Sequence, residues 1–206
     1  MSKFSPIPKL SILIPSIPSR IQDRMIPLYS KLQSQISKLD NPKDVELLCV
    51  IDNKRRSIGY KRESLVYIAR GNYLAFVDDD DDIEDYYIEE AINAIDNNPD
   101  VDVITFKERV WLNGEGPYFL TFELGYPVND PVQKENAKRP PWHSCFWKRK
   151  IAQKYHFPDL MEGEDWAWVS QVNQDAKTSA HIDKFMKIYR WDENVTEATG
   201  PKAIGS

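Results

Sequence analysis

The sequence predicts an α/β domain built on a mostly parallel central sheet flanked by helices. Short runs rich in β-branched and aromatic residues recur at 10–14, 45–51, 73–77 and 101–106, and amphipathic helical patterns lie between them. Strands that alternate with helices pair in parallel through right-handed crossovers. Such sheets bind ligands beyond the carboxyl ends of their strands, which is where polar residues accumulate in this chain.

The first run, 10–14, ends at Pro15 and is too short for a secretion signal. Met25, Tyr29, Leu32, Ile36 and Leu39 then recur at three- and four-residue steps, predicting a helix with Asp23 as its cap and Pro27 in its first turn. After the second strand, Ile58, Leu65 and Ile68 mark a shorter helix that Gly71 can end in a left-handed conformation. After the third, Ile88, Ala91, Ile92 and Ile95 share a helical face, with Glu84 and Asp85 in the first turn and Pro99 as the stop. Residues 101–106 complete a βαβαβαβ order. The second half has a different texture: a Gly/Pro-rich stretch at 113–131, a basic aromatic stretch at 134–154, a helix near 164–174 and a strand at 184–191. With no internal repeat and no low-complexity linker, the whole chain is expected to form one domain, with a mobile polar tail at 196–206.

At 206 residues, 41% apolar, the chain can bury a core without disulfides or metal staples. Its two cysteines, Cys49 and Cys145, sit in apolar surroundings far apart in sequence, so no disulfide framework or thiolate metal site is expected. That fits a reducing, cytoplasmic location. No run approaches the ~20 apolar residues of a membrane helix. A net charge of −5 offers no global case for nucleic-acid binding.

Asp78, Asp79, Asp80, Asp81 and Asp82 directly follow the third strand. Carboxylates this close repel one another unless cations or helix amides compensate, and oxygen-only ligands suit Mg2+ or Mn2+. The competing reading is a solvated acidic turn that caps the following helix. A calcium loop would place Asp78, Asp80, Asp82 and Glu89 correctly but fails at Ile83, where the turn needs glycine. The neighbouring strand ends add Pro15, Ser16 and Arg20, then Asp52 and Asn53, then Lys61 and Arg62. Together they describe a site for a phosphorylated ligand plus metal. The chain has neither G-x-x-x-x-G-K-[ST] nor G-x-G-x-x-G, so a P-loop or dinucleotide cofactor is not indicated.

Leu-Ser-Ile-Leu-Ile-Pro-Ser (10–16), Val-Ile-Asp-Asn (50–53), Gly-Tyr-Lys-Arg (59–62), Arg-Gly-Asn-Tyr-Leu-Ala-Phe-Val-Asp-Asp-Asp-Asp (70–81) and Gly-Glu-Asp-Trp (163–166) occur in order. In these motifs the chain resembles family 2 glycosyltransferases of the A-type (GT-A) fold, over roughly residues 8–191. The resemblance implies that 1–106 bind a nucleotide diphosphate sugar, UDP-linked above all, and that 107–195 bind the acceptor. It places Asp52 at the nucleobase and Arg62, with Lys61, near the base and phosphates. It makes Asp78-Asp79-Asp80 the D-x-D motif that holds Mn2+ or Mg2+, with Asp78 and Asp80 as ligands and Asp79 at the donor. The run of five leaves the register open to Asp79 or Asp81. It gives the Glu164-Asp165 pair the acceptor side, Asp165 as the base of an inverting transfer and Glu164 as a binder of acceptor or donor.

Residues 133–156 hold seven basic side chains, Lys134, Lys138, Arg139, Lys148, Arg149, Lys150 and Lys154, against Glu135 alone. Trp142, His143, Phe146 and Trp147 are interleaved. One reading is an acceptor platform, with Trp142, His143 and Trp166 stacking or bonding a sugar while cations hold phosphates. The other is a basic helix start with an aromatic core face. His143 is also a possible metal or phosphate ligand. The expectation is a metal-dependent sugar transfer to a hydroxyl of a glycan, lipid carrier, protein or modified DNA. Its rivals are a nucleotidyltransferase and a non-catalytic sugar- or nucleic-acid-binding module.

Overall fold

The computed structural model describes residues 7–127 and 136–191. Strand β1, Leu10–Ser16, is buried along its whole length. β2, Val45–Ile51, and β3, Tyr73–Phe76, flank it in parallel. Helices α1, Ile26–Ile36, and α2, Ile58–Ile68, make the crossovers, so three strands end side by side at one edge. The chain continues through β4 Asp82–Ile83, α3 Tyr87–Asn97, β5 Val103–Leu112, β6 Glu115–Phe122, β7 Ala137–Arg139, β8 Phe146–Lys148, α4 Arg149–Ala152, α5 Glu164–Asp175 and β9 Ser179–Trp191.

The sheet runs β2-β1-β3-β8-β5-β6-β7, with β9 joined to β5 and β4. It is a mixed α/β domain whose parallel portion carries the first three strand ends. The fourth predicted strand, now β5, does not adjoin β3, because β8 inserts antiparallel to both. β5 also runs past residue 106 to Leu112, since β9 follows it in parallel along its length and β6 pairs antiparallel with its second half. For the same reason β9 starts at Ser179, ahead of the expected 184.

Three local expectations change. Asp23 does not cap α1: it lies in a π-helical turn, Ile21–Met25, so the chain is already helical at Met25, and Pro27 takes its expected place in the first turn. α2 ends at Ala69 in an extended conformation, and Gly71 is not left-handed. A Cβ on Gly71 would lie 2.5 Å from the Ser11 nitrogen, so glycine is there for the close approach of β1. Asp82 pairs as a strand with Ile188 on β9, which delays α3 to Tyr87 and makes Glu89 and Glu90 its first-turn acids. Tertiary pairing overrides the local helix signal there. The tail at 196–206, Lys134 and Glu135 lie outside the described residues.

Candidate active site at the carboxyl edge of the sheet

Ser16 closes β1, Asp52 follows β2 and Asp78 lies just past β3. α2 brings Lys61 and Arg62 underneath them. Its cap, Ser57, accepts from the Tyr60 amide at 2.9 Å and donates to Asp159. The Gly59 amide donates to the Leu160 carbonyl at 3.1 Å, and a Cβ on Gly59 would collide with the Pro158 carbonyl. That close approach packs the first turn of α2 against the loop leading to α5, and so fixes the height of the next two residues.

Arg62 is buried and joins both halves of the chain. Its Nη1 and Nη2 lie 2.9 and 3.0 Å from the Asp78 carboxylate, and its Nε donates to Glu164 Oε1 at 3.0 Å. Its guanidinium also lies over the Phe76 ring, 5.0 Å from the centroid. Lys61 donates to the Ser16 carbonyl at 3.1 Å and pairs with Asp52 Oδ1 at 3.1 Å. Asp52 Oδ2 accepts from the Arg56 amide at 2.9 Å. Burial raises the Asp52 carboxyl, but the Arg56 amide and Lys61 outweigh it and hold it below its ordinary value. Pro15 is buried within β1, opposite Val50, and Asn53 is exposed just beyond Asp52.

Every member of the aspartate run meets a cation, with Asp79 and Asp80 sharing one. Asp78 has Arg62. Asp79 accepts from Ser16 Oγ at 2.6 Å and from Arg20 Nη1 at 2.9 Å. Asp80 lies 3.2 Å from the same Arg20. Asp81 is buried against Lys187 at 2.7 Å, and Asp82 pairs with Lys31 at 2.9 Å. Mutual repulsion of the five carboxylates is therefore relieved by the protein itself and does not by itself require a metal. The solvated helix-capping turn is not formed either, because β4 intervenes and Asp79 and Asp81 are buried.

Burial alone would raise Asp78, yet Arg62 and the His143 imidazole hold its carboxyl well below the ordinary range. Asp79 moves up, mainly through burial, against the pull of Ser16 and Arg20. Lys187 also contacts Glu108 at 3.7 Å. Burial lowers the Lys187 ammonium, but Asp81 and Glu108 together push it up. One ammonium cannot balance two buried carboxylates, and burial drives Asp81 well above its usual value. Lys187 stands outside every motif of the sequence. A lysine inside the β-periodic run Phe185, Lys187, Tyr189, Trp191 was the available signal.

The second half of the chain supplies the other wall. Gly163, at φ +79°, turns the chain into α5 and delivers Glu164 and Asp165. Glu164 is buried behind the site, where it holds Arg62. Asp165 keeps part of its carboxylate exposed and accepts from Trp142 Nε1 at 3.2 Å. His143 is buried between the two walls, its Nε2 3.5 Å from Asp78 and its Nδ1 3.5 Å from Asp165. Trp166 is about half exposed at 49%.

The basic aromatic stretch is not a continuous platform. Phe146 and Trp147 are core residues, Lys138 pairs with Glu123, Lys148 with Asp100 and Lys154 with Asp175. Arg149 donates to the Gly71 carbonyl. From this stretch, Trp142, His143 and Arg139, whose guanidinium lies over Trp142, gather beside Asp165.

Among the described residues no three His, Cys, Asp or Glu side chains form a ready-made metal shell. Asp78 Oδ1 is buried without an aligned hydrogen bond even beside Arg62, and Asp80 is partly exposed. Two such carboxylates fit a hard cation if phosphate and water oxygens complete its shell. A cavity of about 460 Å3 lies at the amino end of β1, lined by Lys9, Asp44 and Asp96, and contains none of these groups. Chemistry, not concavity, marks the site.

Residues 30–155 match the family model described as Glycosyl transferase family 2. The match ends before α5, so the Glu164-Asp165 pair lies outside it. An uncharacterized glycosyltransferase of Methanocaldococcus jannaschii is 25% identical over 167 residues, covering 78% of this chain and 56% of that protein. The crystal structure of S. aureus TarS 1-349 in complex with UDP-GlcNAc superposes with a TM-score of 0.63 at 16% identity, over 90% of this chain and 59% of that one. Its complex with UDP gives 0.62 at 17% identity, over 89% and 60%. The chain thus spans somewhat over half the length of these relatives, and the structural likeness speaks to the GT-A-like fold.

Proposed function

The chain belongs to glycosyl transferase family 2, and on that premise we propose that it transfers a sugar from a nucleotide diphosphate donor to an acceptor hydroxyl with inversion. The observation that carries the proposal is the convergence of Asp78 and Asp165, from opposite halves of the chain, on the two nitrogens of His143. In this reading the Asp78 wall takes the diphosphate and the Asp165 wall the hydroxyl. A UDP-linked donor is favoured by the UDP and UDP-GlcNAc complexes of TarS.

In this reading Asp52 lies at the nucleobase, held by Lys61 and the Arg56 amide. Asp78 and Asp80 would hold Mn2+ or Mg2+, which supplies charge stabilisation for the departing diphosphate. Arg62 and Glu164 position the Asp78 carboxylate; Ser16 and Arg20 position Asp79 and Asp80. Asp165, oriented by Trp142, takes the proton of the acceptor hydroxyl. The hydroxyl oxygen forms the new bond to the anomeric carbon from the face opposite the diphosphate. The old carbon–oxygen bond breaks with its electron pair passing to the diphosphate.

Asp165→Asn keeps the size and the hydrogen-bond acceptor but cannot take the proton. The variant should bind UDP normally in calorimetry while turnover falls by roughly 10²–10⁴-fold. Near-normal turnover, or a product with retained anomeric configuration by NMR, would sink the proposal. UDP affinity that is the same in Mn2+ and in EDTA would remove the metal from it.

A further inference from the structure

Arg139 ends β7 with its guanidinium over the Trp142 ring, 5.3 Å from the centroid. Among the described residues it makes no ion pair and no side-chain hydrogen bond, although the other site cations, Arg20, Lys61, Arg62 and Lys187, each face a carboxylate. Its neighbour Lys138 is already matched by Glu123 at 2.7 Å. A guanidinium offers five N–H donors in a planar fork, and leaving them unmatched in a half-buried place is unfavourable unless a ligand completes them.

The indole beneath the guanidinium also donates to Asp165 Oδ2. Arg139 and Asp165 therefore touch the same ring, and a group held by the one lies within an indole's width of the other. Burial holds the Arg139 guanidinium below its ordinary value against the opposing influence of Glu108, Tyr189 and Asp165, as expected of an under-compensated cation. The diphosphate wall, Ser16, Asp78 and Arg62, lies across His143 from this point.

We propose that Arg139 binds an anionic group of the acceptor, a phosphate or a carboxylate, beside the hydroxyl that Asp165 deprotonates. This inference rests on the glycosyl-transfer reading for the identity of its ligand as acceptor. A guanidinium over an indole face keeps its N–H donors free of the ring, and such a planar fork can grip a phosphate or carboxylate through two parallel hydrogen bonds. The acceptor is then a hydroxyl compound that also carries a phosphate or a carboxylate, and neutral sugars are disfavoured.

Ligand-observed NMR titrations with sn-glycerol 3-phosphate, glycerate and glycerol test this, with UDP titrated separately by calorimetry. At least one anionic probe should bind roughly tenfold or more tightly than glycerol, the scale of one charge-assisted pair. Which anion binds tells phosphate from carboxylate. Arg139→Met should erase the preference and Arg139→Lys should keep part of it. If Arg139→Met fails to fold, Arg139→Gln, which keeps hydrogen bonding but drops the charge, carries the same comparison. No preference over glycerol, or a preference that survives loss of the charge, overturns the inference. So does weakened UDP binding in Arg139→Met, which would put the arginine on the donor side. If UDP does not bind the wild type but the anion preference holds and depends on Arg139, the glycosyl-transfer reading falls while the anion site stands.

Discussion

Arg62 compensates carboxylates from two halves of the chain at once, so its removal tests how much the site contributes to stability. Arg62→Met keeps most of the bulk over Phe76 but leaves the buried Glu164 and the partly buried Asp78 without their cation. Breaking a buried pair in this way costs about 3–5 kcal/mol. The expected result is a marked fall in the urea midpoint of Arg62→Met, and a smaller one in Arg62→Met/Glu164→Gln, since the double variant removes one stranded charge. Additive losses would mean that the contact is not energetically coupled. The residue types at this site were legible because carboxylates and cations stood at strand ends. Their pairing was not. Asp81 with Lys187 spans 106 positions, and the strand periodicity that sets Lys187 among apolar residues does not name its partner.

At the scale of elements, close approaches of backbone explain two glycines that sequence patterns read otherwise or leave unexplained. Gly59 lets α2 lie against the 158–160 loop, and Gly71 lets the chain pass β1. At Gly71 two of the three colliding atoms are backbone, the Ser11 nitrogen and the Leu10 carbonyl carbon, which cannot rotate away as the third, Ser11 Oγ, can. Gly71→Ala should therefore cost about 1–3 kcal/mol, the usual effect of overpacking. A lowered thermal midpoint by circular dichroism checks it, and an unchanged midpoint would show that β1 and the 70–72 segment can separate freely. The hairpin between β5 and β6 was available to sequence reading. Asn113 and Gly114, both at positive φ, form the Asn-Gly turn that joins two strands. The Gly/Pro richness of 113–131 masked it.

For the molecule as a whole, acid acts on groups of opposite sign. Asp52, Asp78 and Asp102 are depressed, so their contributions are present above the unfolded carboxylate value near ~3.9 and are lost as pH falls through the folded values. Asp79 and Asp81 are raised and act in the opposite sense, gaining as pH falls. Asp102 isolates one sign. Burial raises it, but the amides of Lys177 and Thr178 and the Thr178 hydroxyl outweigh that and lower it, fastening the start of β5 to the start of β9. Urea midpoints measured from pH 5 to pH 3 should decline less steeply in Asp102→Asn than in the wild type. Equal slopes would show that Asp102 titrates alike in the folded and unfolded chains.

The sequence by itself determined the alternation of β1, α1, β2, α2 and β3, because apolar periodicity and strand-ending polar residues are local properties of the chain. It also determined which wall would be acidic, since strand ends in a parallel sheet are the one place a run of aspartates meets a ligand edge. Only the tertiary structure decided that β8 enters between β3 and β5, that Glu164 turns inward to Arg62 while Asp165 stays accessible, and that Arg139 lies over Trp142 with no carboxylate partner among the described residues. Antiparallel insertion, charge pairing and burial all depend on residues brought together from distances of tens of positions. The free energy that selects among partners of the same chemical type arises from packing in three dimensions, where adjacent positions on α5 point about a hundred degrees apart.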